Sequence, residues 1–164
     1  DRGPGNRRRS RRARRARVAD RGRRVRRALC AGPARRAAQG VGHFPALPAG
    51  NPVQLTLAEF SSRAIYDSGR SLSGRTVRLT GFVTRDDDGT WYVTRLLVAC
   101  CAADATTSKV EIRGGQAPPV DAWVTVTGTW RPKGRLGTDA AWPPVLDAGS
   151  VRRIAEPADP YEKR

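Results

Sequence analysis

The sequence predicts a mainly β fold for the second part of this 164-residue chain, with one helix in front of about five short strands. From Arg75 onward, apolar and polar residues alternate with a period of two, which is typical of strands with one buried face. Glycines such as Gly81 and Gly128 stand inside these segments, where a barrel bends its strands. Together these observations favour a small OB-like Greek-key barrel, preceded by a disordered arginine-rich leader.

The predicted helix begins directly before the strands. Thr56 and Glu59 have the spacing of a capping box, in which the hydroxyl and the carboxylate bind exposed amide groups of the first turn. Four apolar residues then fall on one helical face: Leu57, Phe60, Ala64 and Ile65. We expect the helix to end near Asp67, before Ser68 and Gly69.

The strands are predicted from the alternating segments and from the turns between them. Residues 86–89, three aspartates and a glycine, predict a solvated turn rather than a calcium loop, since no glutamate follows at the required spacing. The five segments lie at about 75–84, 91–100, 110–112, 123–130 and 145–154.

Composition divides the chain into four parts. Residues 1–40 form the arginine-rich leader, and residues 41–54 form a Pro/Gly-rich linker that holds the only histidine, His43. Residues 55–156 form the barrel domain, and residues 157–164 form an extended tail.

The positive charge of the chain is concentrated in the leader. Residues 1–40 contain sixteen of the 31 basic residues, all arginine, and only two acids, so this segment carries +14 of the +16 net charge. With almost no large apolar side chains, it cannot offset its ordering entropy. Such a segment suits binding to nucleic acid or to anionic lipid. The alternative is a truncated leader, or GC-rich DNA translated in the wrong frame.

The one unusual cluster in the barrel is Cys100, Cys101 and Asp104. Two thiolates and a carboxylate could bind a soft transition metal, although a partner chain would have to complete the ligand set. Neighbouring thiols could instead form a strained, reducible disulfide. The third interpretation is structural: one cysteine packs in the core while the other lines a surface groove, and Arg95 and Asp104 could form an ion pair beside them.

No enzymatic site is predicted. The sequence lacks a Cys/His pair in the barrel, a Ser-His-Asp set and a phosphate-binding glycine loop. The barrel also has four tryptophans, but its near-neutral charge makes nucleic acid an unlikely ligand for the folded domain. We expect these rings to serve in packing or in a protein contact. No apolar run approaches the ~20 residues of a membrane-spanning helix.

Several segments resemble the C-terminal domain of the YcgQ-type family of permease-associated membrane proteins, a domain of unknown function. The resemblance covers about residues 44–162, and it is carried by SLSGRTVRLTGFVT, WYVTRLLVACCAADA, KVEIRG, DAWVTVTGTW and PADPYE. The matching motif positions are Gly81, Phe82, Arg95, Cys100, Cys101, Asp104 and Trp123. The resemblance implies N-terminal membrane helices, a linker and then this soluble domain, together with a predicted permease as partner.

We therefore expect a non-enzymatic, soluble domain of a membrane-associated accessory subunit of a permease. It would dock on the transporter or handle a metal or thiol-reactive species at Cys100 and Cys101. The first alternative is an OB-type nucleic-acid-binding protein with a basic arm. The second alternative is a protein that handles metal or redox equivalents through the two cysteines.

Overall fold

The computed structural model describes residues 40–100 and 102–163. The leader predicted at 1–40 lies outside this part except for Gly40, and so does Cys101. The described part holds the short strand β1 (Val53–Gln54), the helix α1 (Leu57–Tyr66) and six further strands. These are β2 (Thr76–Arg85), β3 (Trp91–Val98), β4 (Thr106–Arg113), β5 (Trp123–Arg131), β6 (Val145–Arg153) and β7 (Tyr161–Lys163).

The strands close into a barrel. The order is β2–β5–β6–β4–β3, and β3 pairs again with β2. The pairing of β4 with β6 is parallel, and the other barrel pairings of the described strands are antiparallel. Numbered along the chain, the barrel strands follow the circular order 1–2–3–5–4, which is the Greek-key order of an OB fold. The predicted mainly β, OB-like fold with one N-terminal helix is therefore confirmed.

Two glycines allow neighbouring strands to approach closely where the barrel bends. A Cβ atom on Gly81 would lie 2.5 Å from the carbonyl oxygen of Thr94, and one on Gly128 would lie 2.1 Å from that of Asp147. Both distances are too short for any side chain. Gly128 also follows an irregularity in the β5–β6 register, as expected where a strand bends.

The core is built from the inward faces that the alternation predicts. Every second residue of β2 is buried from Val77 to Val83, as are Val124 and Val126 of β5. The predicted helical face is also buried: Leu57, Phe60, Ala64 and Ile65. The helix packs on β2, β3 and β4. Leu57, Phe60 and Ala64 therefore join the same hydrophobic cluster as the barrel interior.

The helix begins and ends where the sequence predicts, but only half of the predicted capping box forms. The Thr56 hydroxyl accepts a hydrogen bond from the Glu59 amide at 3.0 Å, which caps the first turn. The Glu59 carboxylate binds the Arg63 guanidinium at 3.3 Å instead of an amide of the first turn. Asp67 follows the last helical residue. This helix is too short to span a membrane, and none of the residues described here forms one that could.

Two short strands go beyond the five-strand prediction. β1 lies within the segment assigned to the linker and pairs in parallel with β2. β7 lies within the segment assigned to the tail and pairs in parallel with β3. The third predicted strand extends over Thr106–Arg113, whereas the second ends at Val98, two residues before Cys100. Residues 86–89 form the predicted turn, closed by a bond from Gly89 N to Asp86 O.

Candidate functional site

An aromatic cluster with one exposed ring lies on the outer side of β3 and β4, where Tyr92 is buried, with 7% of its surface exposed. Trp142, in the loop between β5 and β6, keeps 48% of its surface exposed. The Lys109 ammonium lies 5.2 Å from the centre of the Trp142 ring and 4.4 Å from that of Tyr92. Because both distances are within the ~6 Å range of cation–π attraction, the lysine joins the two rings. We call Tyr92, Lys109 and Trp142 the Trp142 face.

The register between β3 and β4 places Lys109 beside Tyr92. Lys109 of β4 is opposite Thr94 of β3, so Tyr92 is its diagonal neighbour two residues away. The Tyr92 hydroxyl donates a hydrogen bond of 2.6 Å to Asp86, which belongs to the turn after β2. Burial, this bond and the charges of Asp86, Glu111 and Asp88 raise the pKa of Tyr92 above its usual value. Its phenol therefore stays protonated and acts as a fixed anchor of the surface.

Acidic residues border the Trp142 face. The turn that binds Tyr92 carries Asp86, Asp87 and Asp88, and Glu111 is opposite Tyr92 in the strand register. Hydrogen bonds from Thr90 lower the pKa of Asp88, so this carboxylate is ionised at neutral pH. The Trp142 face thus combines two aromatic rings with charges of both signs.

The four motif positions outside the cysteine cluster lie together where β2, β3 and β5 meet. The rings of Phe82 and Trp123 contact edge to face, with centroids 5.6 Å apart. The Arg95 guanidinium lies 5.3 Å from the centre of the Trp123 ring. Gly81 is the strand-closing glycine next to Phe82. These residues hold the barrel closed.

Arg95 also ties the end of the chain to the barrel. Its guanidinium donates to the carbonyl oxygens of Pro160 at 3.0 Å, of Asp159 at 2.9 Å and, more weakly, of Thr80 at 3.4 Å. The ion pair expected between Arg95 and Asp104 is absent from the described residues, because the guanidinium is committed to these carbonyl groups. This expectation was wrong.

Cys100 and Asp104 contact each other in the loop between β3 and β4. The Cys100 thiol is exposed and lies 3.0 Å from Asp104 Oδ2. The same carboxylate accepts hydrogen bonds from the amides of Ala99 and Cys100, each at 3.2 Å. Cys101 lies outside the described residues, and the residues inside them contain no group of three potential metal ligands. The three-residue metal site therefore stays a prediction.

His43 remains in the segment before β1, where it is exposed, as expected of a solvated linker residue. Sequence reasoning missed the pairing of Tyr92 with Lys109. Both are ordinary strand residues in the sequence, and only the β3–β4 register makes them neighbours. The exposed Trp142 was visible as an aromatic residue in a polar loop.

Comparison with known proteins identifies the family of this domain. No curated protein sequence matches the chain. Among solved structures, a chain from the crystal structure of the S. pombe Stn1-ten1 complex is similar, with 13% sequence identity and a TM-score of 0.37. The match covers 68% of this chain and 85% of that one. The family model described as the DUF1980 C-terminal domain matches residues 49–162. The chain therefore belongs to the DUF1980 C-terminal domain family.

Proposed function

We propose that this domain is a non-enzymatic binding module of a membrane-associated accessory subunit of a permease. It docks on its partner through the Trp142 face. The observation that carries the proposal is an indole left 48% exposed beside an ammonium group and a second aromatic ring. Tryptophan and tyrosine are enriched at the centres of protein interfaces, where a large rigid ring buries much area. The outer side of the second and third barrel strands is also where OB folds bind oligonucleotides and oligosaccharides, so the charge around it decides which class of ligand fits here.

The charge around this surface favours a protein partner over a nucleic acid. A single-strand binding groove tracks the phosphates with lysine and arginine. Here the charges of Asp86, Asp88 and Glu111 act on Tyr92, and Glu111 is paired with Arg113 at 3.1 Å. These acids repel phosphate but can pair with basic groups of a protein.

The permease as partner is supported by the resemblance of residues 44–162 to the YcgQ-type family. Members of that family are commonly encoded beside a predicted permease and carry membrane helices in front of this domain. In this arrangement the barrel stands outside the membrane and presents the Trp142 face to the transporter.

Site-specific photo-crosslinking in the full-length gene product tests the proposal. A photoreactive phenylalanine analogue replaces Trp142 in one variant and Thr129 in the control. Thr129 is exposed on β5, which pairs with neither β3 nor β4. We expect a permease-sized adduct in the membrane fraction from position 142 and none from position 129. Adducts only with other proteins, or none from position 142, would count against docking through this face.

The handling of a soft metal at Cys100 and Cys101 is a second, separable part of the proposal. It is supported by the exposed thiol of Cys100 beside the Asp104 carboxylate, 3.0 Å away. The chain is loaded with Zn²⁺ or Cu⁺ and then dialysed against metal-free buffer. The wild-type chain and the matched control Cys30→Ser should retain the metal, and Cys100→Ser should lose the metal. A wild-type chain that retains neither metal would exclude this role.

A further inference from the structure

Strand β6 is paired on both edges over only its first three residues. On one side it pairs with β5 from Val145 to Arg153, except at Gly149, which the register skips. On the other side β4 pairs with residues 145–147 and then ends. Within residues 40–100 and 102–163, no strand pairs with this second edge beyond Asp147.

The peptide groups along the open edge alternate in a regular way. Ile154 N donates to Trp123 O at 2.9 Å, so residue 154 points toward β5. In an antiparallel ladder the direction alternates, so Val151 and Arg153 point their N–H and C=O groups away from β5, on the near side of the register irregularity at Gly149. The edge therefore offers two donor–acceptor pairs about 7 Å apart, at about 3.3 Å per residue.

A groove runs along this edge. Its volume is about 550 Å³, and its far wall is the loop at residues 115–119. Pro118 and Pro119 in this wall have no N–H group, so these two residues cannot donate to the open edge. Ala117 and Val151 pack on the hydrophobic core and give the groove an apolar floor. Arg153 is the one charged residue among those that line it.

We propose that this groove binds an extended acidic segment of a partner protein, which adds to β6 as a further strand. In such strand addition the main-chain hydrogen bonds give affinity, and alternate side chains give specificity. A small apolar side chain of the incoming segment lies on Ala117 and Val151, and an acidic one pairs with Arg153. A second copy of β6 fits less well, because its residues 148–153 include two arginines and no acid to pair with Arg153.

The probe is a fluorescein-labelled peptide of the order Glu-Thr-Val-Thr-Val-Thr-Glu, which reads the same in both strand directions. Its control is the same peptide N-methylated at every threonine and valine. The control keeps the charge and the side chains but has almost no N–H groups. The arginine-rich segment at 1–40 attracts both peptides alike. The difference between their affinities therefore measures binding at the groove. With the full chain, we expect the unmethylated peptide to bind at least tenfold more tightly.

Two arginines of β6 provide matched variants. Arg153 lines the groove, whereas Arg152 is equally an exposed arginine whose peptide group faces β5. Arg153→Glu should weaken binding of the peptide at least tenfold, and Arg152→Glu less than twofold. Amide exchange should slow at least tenfold at Val151 and Arg153 when the peptide is added, and stay unchanged at Ser150 and Arg152.

Three results would overturn the proposal. The first is equal affinity for the two peptides, which would assign binding to charge alone. The second is an equal effect of Arg152→Glu and Arg153→Glu. The third is self-association by sedimentation equilibrium, with the amides of Val151 and Arg153 protected in the absence of peptide. That result would make a second copy of the chain the occupant.

Discussion

Asp67 shows how one buried carboxylate joins three segments around the end of α1. It is fully buried and accepts hydrogen bonds from the amides of Phe44, Gly69 and Ser71, at 2.8–3.3 Å. The Ser71 hydroxyl is a fourth donor. These groups belong to the segment before β1 and to the loop after the helix, so the carboxylate ties both to α1.

The electrostatics of Asp67 give a pH-dependent prediction. Desolvation by burial opposes ionisation, but the hydrogen bonds from Ser71, Phe44 and Gly69 outweigh it and lower the pKa from 3.8 to about 2. A carboxylate whose pKa is lower in the folded state stabilises the fold above its unfolded pKa. We expect this stabilisation, about 2 kcal/mol, to be complete above pH 4 and to be lost as the pH falls to 2.

Asp67→Asn tests this prediction by urea unfolding at several pH values. The free energy of unfolding should fall by about 1–3 kcal/mol at pH 7, because the amide cannot accept all four bonds. The difference from wild type should shrink between pH 4 and pH 2. Asp87→Asn, in the exposed turn, is the control and should change stability by less than about 0.5 kcal/mol. A pH-independent deficit in Asp67→Asn would contradict the assigned ionisation.

Among the elements, β7 depends on one buried side chain to join the start of α1. Both carboxylate oxygens of Glu162 accept amide hydrogen bonds from the first turn, from Leu57 at 2.7 Å and from Ala58 at 3.1 Å. Amides at the start of a helix have no partner within the helix, so Glu162 supplies one from the far end of the chain. Arg95 holds the adjacent carbonyl groups of Asp159 and Pro160.

Glu162→Gln should therefore destabilise the fold by about 1–3 kcal/mol, because one amide of the helix loses its acceptor and the helix dipole loses a charge. Glu156→Gln is the matched control, since Glu156 is exposed in the loop before β7. Chemical denaturation at pH 7 compares the two. Equal stability of the two variants would mean that the Glu162 cap has no net effect.

The barrel strands and the helix could be predicted from the sequence because each buries one face. The alternation of apolar and polar residues from Val77 to Val83 and from Val124 to Val126 indicates directly which side chains point inward. β1 and β7 could not be predicted in this way, since strands of two and three residues are too short to show a period. Their positions depend on pairing with β2 and β3, which lie far away in the sequence.

The candidate site was predicted less completely, for the same physical reason. The Trp142 face requires the register that places Lys109 beside Tyr92, and local pattern does not report register. The capping by Glu162 joins residues that are 105 positions apart. The motif positions Gly81, Phe82, Arg95 and Trp123 were identified by resemblance, and the structure brings them together as a structural cluster rather than an open site.

At the scale of the whole molecule, charge is divided unequally along the chain. Residues 1–40 carry +14, whereas residues 41–164 carry only +2. Electrostatic binding to nucleic acid scales with the number of phosphates neutralised. The two parts of the chain should therefore differ sharply in their affinity for single-stranded nucleic acid. This difference in affinity distinguishes docking of a protein on the Trp142 face from the nucleic-acid-binding alternative.

We expect the full chain to bind oligothymidine through its arginines alone. The logarithm of the affinity should fall steeply with the logarithm of the salt concentration, by about 0.7 for each phosphate neutralised. A variant that lacks residues 1–36 should bind at least 100-fold more weakly at 100 mM NaCl, by fluorescence anisotropy. Trp142→Ala in the full chain should change the affinity less than twofold, because base stacking on the barrel contributes nothing. If Trp142→Ala instead weakens binding tenfold or more, or if the shortened variant still binds tightly, the Trp142 face is a nucleic-acid interface and the alternative function takes first place.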